Sequence, residues 1–547
     1  MKKTNILVFI ITFILFFIPF FWLKPGEMNL GGDSGRLYFY DPLSYLNNTI
    51  LYSFSSSGTG VENYGYPPFF FMLILIVLKF IFSSTTIISI FNGIVLSFAF
   101  LSIYFIVYEL LNNFKNPIEK SVVACSSILA GLLYIFSQLS IYSGWENPIL
   151  SHNQIFLNPL IFFLLLKYFI SRKKLYMYAA ILISVIFAAN FSFEGAPAFF
   201  AFYPLSLTFL ICYVKFIKKL SIRLKELIFA IILFLLAHSF HLIPEIASLF
   251  SSGSSLNKTF FIQEGESTRM GLDFFISIAS SVKVSLIWLS AAQFQNALIF
   301  SILIIFPIIF VLGFYLNKEK TLLLTGIFFL AAMFFTSANI TDIGFFFYKQ
   351  LFKIPGFSMF RNYHGQWLYA YIFFYVLVFG QTFAIVASKL SRRLFFIFIF
   401  VFSLVILGFG IPLITGAASI VTHEENGIRY TFRMDPIYEK VLNYFKKYPI
   451  DGKIITFPIT SPGFQIFQGK DGGVYQGLPT ISYLTGISNF SGFETLGPFN
   501  EVFIQAMFDR NYDVIKKIFS ILNIHSIFYN SDPYIYSDSF KPYLYNY

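Results

Sequence analysis

Long apolar runs separated by short polar stretches fill the first 415 positions. A helix that crosses a bilayer needs about 20 mostly apolar residues. Runs at 6–23, 87–111, 121–138, 155–170, 175–191, 197–214, 227–243, 297–316, 321–337, 366–388 and 394–414 come near that length and predict about 11 transmembrane helices. The stretch 68–82 is apolar but short, and Lys79 interrupts it; it predicts a juxtamembrane helix at the outer interface. The stretch 274–290, with Lys283 in its middle, is read the same way.

The polar stretches alternate in charge. Lys2 and Lys3, Lys115 and Lys120, Arg172 to Lys174, the Lys215–Lys225 cluster, Lys318 and Lys320, and Lys389 with Arg392 and Arg393 fall in one set of loops. The intervening stretches 139–154 and 191–196 carry no Lys or Arg. Basic loops stay cytoplasmic, so the N-terminus is expected inside and the C-terminus outside. A crossing by 68–82 would put every later basic cluster on the wrong face. Residues 2–23 look like a signal peptide without a small-residue cleavage site, which predicts a retained signal anchor.

After Thr415 the pattern changes to ordinary polar–apolar mixing. Asp435-Pro436 is a helix start, with Ile437, Val441, Leu442 and Phe445 at helical spacing behind it. Strands are expected at Lys453–Pro458 and Ile524–Tyr529, with helix around 500–522 between them. The expectation is an α-helical polytopic membrane protein of residues 1–415, followed by a small α/β extracytoplasmic domain at 416–547. The first outer loop would span 24–67.

Composition agrees: 57% of the 547 residues are hydrophobic and 12% are charged, outside the range of soluble domains. The net charge of +11 sits in the alternating loops, so it belongs to membrane topology and predicts no nucleic-acid partner. The two cysteines, Cys125 and Cys212, form neither a disulfide framework nor a CxxC site.

Candidate chemistry gathers on the expected outer side. Asp33 stands among glycines in Gly31-Gly32-Asp33-Ser34-Gly35, where backbone freedom lets a ligand approach; the plainer reading is a surface turn or an ion pair with Arg36. Asp41 follows in the same loop. Glu146 and His152 lie in the second outer loop and Glu194 in the third. His238 and His241 share a helix face, with Glu245 just beyond; a metal site and a hydrogen-bonded structural pair are both open readings. Arg361, among aromatics in Phe357-Ser358-Met359-Phe360-Arg361-Asn362, suits a phosphate at the bilayer surface or a snorkelling interfacial role. No Walker A, dinucleotide fingerprint, GxSxG elbow or zinc-finger spacing occurs.

The loop motif Gly31-Gly32-Asp33, the Tyr64-Gly65-Tyr66-Pro67-Pro68-Phe69 lead-in to a juxtamembrane helix, and the Pro355–Asn362 segment resemble those of GT-C superfamily glycosyltransferases. The similarity is to the YfhO-type enzymes and to arabinofuranosyltransferases with a GT-C core. It covers the architecture of about residues 1–415. It implies a plasma-membrane enzyme that moves a sugar from a polyprenyl-phosphate donor to a cell-envelope glycan, lipid or protein. Asp33 would be the general base and Arg361 the donor-phosphate ligand, with Arg36, Asp41, Glu146, His152, Glu194, His238 and His241 lining the substrate pocket. A divalent metal stays open. The competing classes are a transporter or flippase for lipid-linked glycans and a non-catalytic envelope scaffold.

Overall fold

A computed structural model describes residues 2–30, 36–50, 68–141, 145, 153–192, 197–221, 223–250, 275–276, 304–354, 356–420, 422–423, 428–448, 450–460 and 465–530. The chain forms two compact units. The first comprises Met1–Ile18, Asn92–Trp145 and His152–Thr415; the second comprises Pro19–Phe91, Glu146–Ser151 and Gly416–Tyr547.

The first unit is helical. Six described helices are long and apolar enough to cross a membrane: Thr4–Phe21, Ser84–Leu111, Lys120–Ser140, Gln154–Ser171, Gly365–Ala387 and Arg392–Phe409. A further pair, Leu224–Ala237 and Ser239–Leu249, is bent by 81° at His238 where a single span at 227–243 is expected from hydropathy. Pro244, which cannot donate to the preceding turn, lies in the second half of that pair. Lys174–Ile186, Ala201–Ile217, Ile305–Leu316 and Lys320–Thr336 overlap expected spans as apolar helices of 10–17 residues. Part of the run 297–316 and nearly all of 274–290 lie outside the described residues. These helices make the chain an integral membrane protein.

Tyr363–Ala387 runs through the middle of this unit, with Phe373, Phe374, Val376, Leu377 and Val378 fully buried. Small residues let its neighbours approach, since lipid supplies no hydrophobic drive between helices. A Cβ on Gly380 would lie 2.7 Å from Val107 Cγ1 and 3.1 Å from Ala130 Cβ; one on Gly313 would lie 2.5 Å from Thr382 Cβ. Polar groups inside are answered locally: Gln381 Nε2 donates to Thr325 Oγ1 at 2.9 Å, and Thr325 donates to Thr321 O at 2.9 Å.

The second unit is mixed α/β. Strands Asn489–Gly492, Lys453–Thr460 and Ile524–Tyr529 form a parallel sheet in that order. Ile455, Ile459, Phe490, Leu496, Phe503, Ile518, Leu522 and Ile524 form its core under the helices Asn500–Phe508 and Tyr512–Leu522. The strand expected at Lys453–Pro458 and the one at Ile524–Tyr529 are both present. Helix Pro436–Lys447 starts where Asp435 accepts a bond from Ile437 N at 2.7 Å. Ile437 itself, expected on the apolar face, is exposed, and Tyr438 and Leu442 turn inward. Gln465–Gln468 pairs antiparallel with Val474–Gly477. Phe69–Lys79, the expected juxtamembrane helix, has 11 residues, too few to span the roughly 30 Å hydrocarbon core.

Candidate functional site

Within the second unit the loop after the first helix is stitched to the tail some 400 positions later. Met28 and Phe432 exchange backbone bonds of 2.9 and 3.0 Å. Arg429 joins Glu27 at 2.8 Å and Asp471 at 2.7 Å. Tyr40 OH donates to Glu439 at 3.2 Å, and Asn48 donates to Tyr483 O at 3.3 Å. The rings of Tyr38, Phe39, Tyr45, Phe71, Phe91 and Tyr483 close the interior, with Tyr45 and Tyr483 centred 5.7 Å apart.

Asp41 is absorbed by this scaffold. It caps helix Pro42–Tyr45, accepting from Ser44 N at 3.0 Å and Ser44 Oγ at 2.6 Å, and it holds Lys446 Nζ at 2.7 Å. Burial raises its carboxyl, but the bonds from Lys446 and Ser44 outweigh that and leave it below the usual carboxylate value.

Arg36 differs. It opens the short helix Arg36–Phe39, its backbone N–H donates to Leu30 O at 3.0 Å, and the residue is only 8% exposed. Among the described residues its guanidinium makes no ion pair and no side-chain hydrogen bond. Burial lowers its proton affinity from the ordinary arginine value, and the Tyr38 phenol offsets this only in part. A desolvated cation without a partner is costly, by several kcal/mol per ion in general. Such a group is stable in a fold that brings it an anion.

Arg361, in the first unit, is exposed at the end of the short helix Phe357–Phe360. That helix is fixed from behind: Tyr348 OH donates to Phe360 O at 2.7 Å, and Trp367 Nε1 donates to Tyr348 OH at 3.0 Å. Phe275, Tyr348, Phe352, Tyr363 and Trp367 are buried beside it. Asp33, Glu146, His152 and Glu194 lie outside the described residues.

His238 and His241 come together at the 81° bend and are fully buried. The Ser184 hydroxyl lies 2.7 Å from Ile181 O, which has no hydrogen to give, so Ser184 donates there and accepts from His238 Nε2 at 2.9 Å. His238 Nδ1 then accepts from His241 Nε2 at 2.9 Å, and His241 Nδ1 faces Glu245 Oε1 at 3.3 Å. That last contact needs a proton, carried either by the imidazole or by the carboxyl. All four ring nitrogens are engaged, so the pair offers no lone pair to a cation. Among the described residues no group of three His, Cys, Asp or Glu side chains is placed to hold a metal ion.

Sequence reasoning named Arg36, Asp41, His238 and His241 but missed Ser184, Arg429, Lys446 and Tyr483. Their roles depend on partners far away in the chain, and spacing carries no signal of that.

No protein-family profile matches the chain. No curated protein matches it in sequence. Among solved structures it is similar in fold to arabinofuranosyltransferase AftD from mycobacteria, seen by cryo-electron microscopy: TM-score 0.52 at 11% sequence identity, covering 88% of this chain. The match covers 31% of the AftD chain, so this protein spans about a third of its length. At that identity the likeness establishes a shared fold alone.

Proposed function

We propose that the protein is a membrane glycosyltransferase that takes a sugar from a polyprenyl-phosphate donor and passes it to a glycan, lipid or protein of the cell envelope. Transfer takes place on the extracytoplasmic face of the plasma membrane. The reading carries with it eleven spans, a cytoplasmic N-terminus and an extracytoplasmic domain at 416–547. Two things support it: the fold shared with AftD, and the burial of Arg36 with no ion pair among the described residues, which is the observation that carries it. A lipid phosphate is an anion that cannot leave the bilayer, and an enzyme acting on it must lie in the membrane and supply a cation.

In the proposed reaction Asp33 takes the proton of the acceptor hydroxyl as its oxygen attacks the anomeric carbon. The bond from that carbon to the phosphate oxygen breaks, and the lipid phosphate leaves with the electron pair. A positioned general base contributes about 10²–10⁴-fold. Arginine suits the leaving phosphate because its planar fork gives two charge-assisted bonds at once. We keep donor-phosphate binding at Arg361, as its motif suggests; Arg36, three residues after Asp33 in sequence, is proposed as an anion-binding residue in its own right. Glu146, His152 and Glu194 remain proposed acceptor-side residues.

The test is transfer of labelled sugar from a polyprenyl-phosphate donor in membranes containing the protein. Asp33→Asn at unchanged protein level abolishes it; normal turnover in that variant removes Asp33 from the mechanism.

A further inference from the structure

The first unit contains a cavity of about 940 Å³, lined by none of the residues assigned to sugar transfer. It lies where the 116–121 turn, the Leu316–Asn317 turn and the 387–392 turn converge, at the helix ends that carry the basic loops. Its mouth holds Asn116, Ser121, Asn317, Ser388, Lys389 and Arg392. Its floor is apolar: Val122, Ile385 and Phe395 are buried and come from three separate helices long enough to span a bilayer.

Charge decides what fits. Among the described residues neither Lys389 nor Arg392 makes an ion pair or a side-chain hydrogen bond. The one carboxylate at the rim, Glu119, accepts instead from the Ser121 hydroxyl. The cavity therefore offers two unmatched cations at an aqueous mouth over an apolar floor reaching into membrane helices. Its size falls in the range of about 300–1,000 Å³ typical of small-molecule sites, which suits a lipid head group with the start of its acyl chains. Basic pockets between transmembrane helices recognise acidic head groups because the leaflet beside the basic loops is itself anionic.

We propose that this cavity binds one anionic glycerophospholipid, with its phosphate between Lys389 and Arg392 and its acyl chains over Val122, Ile385 and Phe395. The site stands apart from the sugar-transfer reading and survives or fails independently of it.

The experiment is native mass spectrometry of the full chain released from bilayers of equal phosphatidylglycerol and phosphatidylcholine, for wild type and Lys389→Glu/Arg392→Glu. Wild type retains phosphatidylglycerol in preference to phosphatidylcholine, and the double variant loses that retention at least fivefold. Both side chains are exposed, so the change leaves the core intact; Lys389→Gln/Arg392→Gln reads the same loss should charge reversal impair folding. Equal retention of the two lipids in wild type, or unchanged retention in both variants, overturns the proposal. So does displacement of the lipid by glycerol phosphate alone, which would mark a soluble-anion site.

Discussion

Glu109 in the first unit and Arg36 in the second are both charges withdrawn from water, and they are treated in opposite ways. Glu109 is met twice, by Lys167 at 3.0 Å and by Lys218 at 2.8 Å, and Asn113 adds a further bond. Arg36 is more deeply buried and is met by no carboxylate among the described residues. Glu109 ties together segments distant in sequence, and its balance closes inside the fold. Among the described residues nothing balances Arg36, and an anion that met it would offset that cost.

The sharpest break in this comparison comes from the loop that carries Arg36. Asp33→Asn lowers sugar transfer by about 10²–10⁴-fold in a membrane assay, the range for loss of a general base. Next is Arg36→Met, which keeps bulk and removes charge. Transfer falls about 10–100-fold, as loss of one charge-assisted contact to a reacting phosphate predicts. Glu109→Gln inverts the pattern: transfer chemistry is untouched, but two lysines lose their partner and stability drops by about 1–3 kcal/mol, below the figure for fully buried pairs because the lysines are partly exposed. Denaturant titration of the purified protein reads that loss.

The smallest effect belongs to Lys446→Ala, worth at most about 1 kcal/mol because the Asp41 pair is partly exposed to solvent. Its pH dependence is specific. Asp41 in the fold sits below its usual value, so its contribution is present above about pH 4 and disappears as pH falls through the folded value. Melting curves of wild type and Lys446→Ala should differ at pH 7 and converge only as pH falls below the lowered folded value of Asp41.

Much of the second unit was legible. The strand Lys453–Thr460 and the strand Ile524–Tyr529 announce themselves as apolar runs because a parallel strand is covered on both faces. The Asp435 cap writes its helix start into two residues. The strand Asn489–Gly492 did not, since Asn, Ser and Gly carry no strand preference and take their place from the sheet beside them. In the first unit hydropathy gave apolar segments faithfully but not their breaks. The bend at His238 coincides with a buried hydrogen-bond chain reaching Ser184, and a sliding window averages over it. At the candidate site the sequence shows residue types but not their partners: Arg36 is buried, and Asp41 caps a helix and holds Lys446. An aspartate that caps a helix and one that awaits a substrate look alike until Lys446 is seen 405 positions away.

The most direct measurement is the melting temperature of wild type and Arg36→Met, each with and without polyprenyl phosphate. Wild type should melt higher when the lipid phosphate is added. Arg36→Met should melt at or above unliganded wild type, having shed a buried charge that no described residue meets, and should gain little from the lipid. A variant that melts lower than wild type, or that is stabilised by polyprenyl phosphate as strongly as wild type, would show that the charge of Arg36 is not held for an anionic substrate.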